Sequence, residues 1–67
     1  MNLRDTLKYL GKQVRVTCVD GEECRGVYNW YQSDAESLDE PNAIGLDNGA
    51  GIIIEIPVDE VASIVAL

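Results

Sequence analysis

The sequence predicts a small, mainly β fold: a five-stranded antiparallel barrel preceded by one N-terminal α-helix, in a single domain over residues 1–67. Three observations lead there. Apolar and polar residues alternate over residues 13–19, the period of a strand with one covered face. Asp20-Gly21 follows directly, a pair that marks a hairpin. Two later runs, residues 52–56 and 63–67, are almost wholly apolar, as strands are when protein covers both faces.

The helix is expected over about residues 3–10. Asn2 stands at the cap with Asp5 three positions on, Leu3, Leu7 and Leu10 form a stripe at i, i+4 and i+7, and Gly11 is placed to stop it. A helix this short needs packing to persist, so the leucines are expected to lie on the sheet.

The first strand, residues 13–19, turns Val14, Val16 and Cys18 to one face and Arg15 and Thr17 to the other. With Asp20-Gly21-Glu22 as the loop, Val19 would face Glu23 and the two cysteines would stand opposite each other. The covered face of the second strand, residues 23–31, would then continue as Cys24, Gly26, Tyr28 and Trp30. This register keeps the apolar faces together, whereas a slip of one residue would exchange them.

Residues 32–42 are polar and acidic and read as a loop, followed by a third strand at 43–46. Asp47-Asn48-Gly49-Ala50-Gly51 reads as a turn. The fourth strand, 52–56, is ended by Pro57, which cannot donate to a ladder. A tight turn over residues 57–60 leads to the last strand at 63–66.

Composition narrows the function. A chain of 67 residues buries only about 60% of its unfolded surface, so it needs a further stabilising device. Two cysteines and no histidine supply neither a disulfide framework nor the usual zinc ligands. Self-association remains. The interrupted leucines of residues 1–12 do not form a signal peptide, and no stretch reaches the roughly 20 apolar residues of a membrane span. A cytoplasmic protein with reduced thiols is expected.

The net charge of −7 disfavours general phosphate-backbone binding, and no DNA duplex is expected as a partner. The charge is also uneven. Up to residue 25 there are five bases and four acids; beyond it there are eight acids and no base. No cofactor, metal or catalytic residue is assigned, because nucleophile–base pairs and phosphate-cradling loops are missing from the sequence. An enzyme is not expected.

Gly11, Val14, Val16, Cys18, Asp20-Gly21, Gly26, Tyr28 and Tyr31 stand at the spacing of a first Sm motif, and the element order extends that match. The chain resembles the Sm-like (LSm) family, whose fold is a small SH3-like barrel, and within it the short bacterial members. The resemblance implies a homo-oligomer, cyclic in form, and single-stranded RNA as a candidate partner. It points to Tyr31, Gln32 and Asn42 as candidate RNA-binding residues. Gln32 and the late Asn42 depart from the family's base pocket, as does Glu55-Ile56-Pro57, which stands where an isoleucine, arginine and glycine are usual.

Each candidate has a plainer reading beside it. Arg4, Lys8 and Lys12 form a basic stripe on the helix that could meet RNA or be an ordinary solvated face. Tyr28 and Trp30 could stack bases, but sharing a face with Val14 and Val16 makes them core. Asp34, Glu36, Asp39 and Glu40 could hold a cation or simply keep a loop solvated. For the subunit interface the candidates are Ile52, Ile53, Ile54 and Ile56 with Ile64 and Val65, because unpaired apolar edge strands invite pairing. Two functions stay open: an oligomeric Sm-like ring that binds RNA, or a protein-interaction scaffold without nucleic acid.

Overall fold

A computed structural model of the chain describes residues 1–33 and 42–67. Helix α1 (Leu3–Thr6) runs into a 3-10 turn (Leu7–Tyr9) and is followed by β1 (Gln13–Cys18), β2 (Glu23–Gln32), β3 (Ala43–Asp47) and β4 (Ile53–Pro57). A second 3-10 turn (Val58–Glu60) leads to β5 (Val61–Ala66). All neighbours are antiparallel, in the order β4-β3-β2-β1-β5. No helix of the described residues is long and apolar enough to cross a membrane.

The expected barrel is not closed. β4 and β5 are the two ends of one sheet, and no ladder joins them. In a flat sheet those ends would lie about 19 Å apart, whereas the four peptide steps from Pro57 to Val61 reach at most about 14 Å. The sheet therefore curls until its outer strands meet at one corner. There Val58 is buried, its N–H donates to the Asn42 carbonyl at 2.9 Å, and Val19 N–H donates to the Glu60 carbonyl at 2.8 Å.

The concave face carries the core. Val14 and Val16 of β1, Tyr28 of β2, Ile44 and Leu46 of β3, Ile56 of β4 and Ile64 of β5 pack there. The alternation of β1 is as the sequence predicts, with Cys18 packed at the margin of this cluster. On the opposite face Val27, Ile53 and Val65 are exposed.

The helix departs from expectation. Asn2 does cap it, its side chain accepting from Asp5 N–H at 3.0 Å, and Gly11 takes a φ of 86°. Yet Leu7 and Leu10 are 37% and 43% exposed, while Leu3, Thr6 and Tyr9 turn inward. The chain tightens into the 3-10 turn at Leu7–Tyr9, with three residues per turn rather than 3.6, so Leu7 and Leu10 rotate off the sheet while Leu3 stays on it.

The first hairpin is also shifted. Val16 faces Cys24 and Thr17 faces Glu23, so the cysteines are not opposite each other, and both are free thiols. The loop is Val19-Asp20-Gly21: Gly21 N–H donates to the Cys18 carbonyl at 2.9 Å and Cys18 N–H to the Glu22 carbonyl at 2.7 Å. Gly21, at φ 92°, takes the left-handed position that closes a three-residue hairpin loop. The two-residue slip preserves which face each side chain occupies but changes its cross-strand neighbour.

Candidate functional site

The tip of the β2–β3 ladder brings together three of the candidate RNA-binding residues, Tyr31, Gln32 and Asn42. Gln32 pairs with Ala43 and Tyr31 with Ile44, so Asn42, one residue before β3, stands beside Gln32. Tyr31 is 44% exposed. The acidic candidates Asp34, Glu36, Asp39 and Glu40 lie outside the described residues. Among those that are described, no cluster of three or more potential metal ligands occurs.

A bulge builds this tip. The β2–β3 ladder shifts register between Tyr28, opposite Leu46, and Trp30, opposite Gly45, leaving Asn29 as the extra residue. Such a bulge bends the strand and re-aims the side chains beyond it. Tyr28 stays in the core, and its hydroxyl lies 2.9 Å from Thr6 Oγ1. That oxygen already donates to the Leu3 carbonyl at 2.7 Å, so the tyrosine is the donor. Burial pushes the Tyr28 phenol above its ordinary pKa, the bond to Thr6 works against that rise, and Tyr31 adds to it.

The bulge also moves Trp30. Placed with the core by the sequence pattern, it instead turns to the convex face and lies half-buried over Gly45. A Cβ on Gly45 would come within 2.9 Å of Trp30 Cε3 and of Ile53 Cγ2, so the bare glycine is what lets these two side chains pack across β3.

Arg4 and Lys8 are exposed on the N-terminal helix, and Lys8 Nζ lies 5.3 Å from the centre of the Tyr9 ring, a cation–π distance. Among the described residues, no hydrogen bond or ion pair links them to Tyr31, Gln32 or Asn42.

The interface candidates divide. Ile56 and Ile64 are buried in this chain's own core and Ile54 packs against it, so these offer a partner chiefly their backbone. Ile52, Ile53 at 50% and Val65 at 39% exposure offer side chains as well.

One pair was not singled out by the sequence. Arg15 and Arg25 stand directly opposite each other on the convex face, which the misplaced hairpin register hid. Arg25 also borders an open cleft of about 300 Å³ with Gln13, Asp47 and Asn48 on its walls. Arg15 Nε lies 3.8 Å from Glu23 Oε1 and is itself buried without a hydrogen-bond partner.

The Cys18 thiol is raised above its ordinary pKa, first by burial and then by Cys24, Asp20, Glu60 and Glu22. A nucleophilic thiol needs the opposite shift.

Comparison with protein-family models, with curated proteins and with solved structures finds no match.

Proposed function

We propose that this chain is a non-enzymatic Sm-like module that assembles with copies of itself by pairing β4 of one copy with β5 of the next. One observation carries this reading: the curled sheet ends in two unjoined strands, and each exposes an apolar side chain, Ile53 on β4 and Val65 on β5. Open edges of this kind hold unpaired N–H and C=O groups. Pairing unlike edges is a head-to-tail contact, which closes into a ring when the rotation permits. Light scattering across micromolar concentrations is expected to give a multiple of the 7.3 kDa chain mass; a monomer throughout overturns the reading.

Single-stranded RNA is the second part of the proposal. It is supported by the exposed Tyr31 ring beside Gln32 and Asn42, repeated around an assembly, since aromatic platforms stack bases. Titration with poly-uridine and poly-adenine at two salt concentrations tests it, with salt-sensitive micromolar binding expected. No binding even at low salt would favour a protein-interaction scaffold instead.

A further inference from the structure

We propose that Arg15 of one copy takes Glu55 of the neighbouring copy as a second counter-ion beside its own Glu23, so that the arginine pair on the convex face is fully matched only by assembly. This inference rests on the edge-to-edge pairing above. Arg15 and Arg25 are cross-strand partners, and nearby backbone bonds fix the kind of pair. Cys18 N–H donates to the Glu22 carbonyl and Tyr28 N–H to the Lys12 carbonyl, which puts the hydrogen-bonded pairs at the even positions of β1. Arg15–Arg25 is thus a non-hydrogen-bonded pair, the type in which side chains approach most closely. Like charges so placed repel each other, and the arrangement calls for an anion.

Among the described residues the supply is thin. Glu23 gives Arg15 a half-exposed ion pair, 3.8 Å from Nε to Oε1, that is too long for a hydrogen bond. Among the described residues no carboxylate pairs with Arg25, and Glu55 is exposed and in no ion pair. Glu55 belongs to the same convex face as the arginines. It pairs with Gly45, which shares a face with Asp47, and Asp47 pairs with Val27, itself opposite Gln13.

The two partners are also placed for a junction. Glu55 is on the edge strand β4, and Arg15 lies one strand in from the other edge, opposite Val65 of β5. With β4 docked on a neighbour's β5, their backbones are two strand spacings apart, roughly 10 Å. An extended glutamate and an arginine whose methylenes cross Val65 bridge that gap. Charge also selects which edges meet. A β4–β4 contact sets Glu55 against Glu55, and a β5–β5 contact gathers arginines, so only the unlike edges attract.

Charge reversal tests the pair, using light scattering and sedimentation on the full chain, with circular dichroism to verify folding. Arg15→Glu and Glu55→Arg are each expected to weaken assembly by about fivefold, the upper end of what loss of an exposed ion pair implies. The double variant Arg15→Glu/Glu55→Arg should recover most of that loss, and the milder Glu55→Gln should weaken assembly less. A wild-type monomer overturns the edge pairing and this inference with it. An oligomeric wild type whose single reversals assemble unchanged, or are not rescued by the double variant, overturns the ion pair and leaves edge pairing standing. Inorganic phosphate binding saturably to Arg15 and Arg25 in the assembled wild type would also overturn it, because the site would then be vacant.

Discussion

The Tyr28 hydroxyl is where the helix and the sheet are tied together. Thr6 is fully buried, and its Oγ1 gives its one proton to the Leu3 carbonyl while accepting from Tyr28. Removing either partner therefore has unequal consequences. Tyr28→Phe deletes only a donor and is expected to lower stability by about 1 kcal/mol. Thr6→Val strands a buried phenolic donor and the Leu3 carbonyl, and should cost about 2 kcal/mol. The double variant should cost less than the sum, since both delete one bond; urea unfolding of the four proteins measures this. The folded state holds the Tyr28 proton more tightly than the unfolded chain. The stability it contributes is therefore intact below the ordinary tyrosine pKa of about 10 and lost as pH rises through the folded value. Tyr28→Phe should flatten that alkaline decline. That Tyr28 belongs to the core was legible from its alternation with Val14 and Val16 in the hairpin. Its partner was not, because Thr6 sits between leucines that promised a different face.

At the level of elements, the Asn29 bulge decides what the end of β2 presents. Without an extra residue, Trp30 would continue on the core face with Tyr28 and Tyr31 would lie outside. With it, Trp30 packs over Gly45 and Ile53 on the convex face, and Tyr31 pairs beside Ile44. Deleting Asn29 is expected to force both aromatic residues to exchange faces and to cost at least about 3 kcal/mol, through a misplaced tryptophan and a broken ladder. Thermal melts followed by tryptophan emission would register both effects; a melt like that of the wild type would show that the bulge is dispensable. The strands themselves were readable from period-2 patterning, and their ends from Asp20-Gly21, Asn48-Gly49 and the turn after Pro57. A bulge leaves no comparable mark in β2, since Tyr28-Asn29-Trp30-Tyr31 alternates acceptably either way. The same limit applies to the helix, where one spacing of leucines fits an α-helix and another spacing, Leu3, Thr6 and Tyr9, fits the turn that forms.

Among the described residues the molecule is a curled sheet with its core on one face and with β4 and β5 as its two unjoined ends, and the proposed assembly depends on those ends. Lysine on an edge strand opposes pairing with another strand. On the proposed edge pairing, Ile53→Lys and Val65→Lys, both at exposed positions, are expected to give the 7.3 kDa monomer while leaving the fold intact. Sedimentation velocity at matched concentration checks this, and an unchanged oligomer would place the contact elsewhere. By itself the sequence determined the Asn2 cap, the five strands, the core positions Val14, Val16 and Tyr28 and the identity of the two apolar strands that end the sheet. Those features depend on local periodicity and turn chemistry, which act over a few residues. Only the tertiary structure decided that the barrel stays open, that the hairpin partners shift by two, that Trp30 leaves the core and that Arg15 faces Arg25. Each of these depends on which residue of a distant strand lies opposite, and cross-strand register and accumulated curl are properties of the assembled sheet.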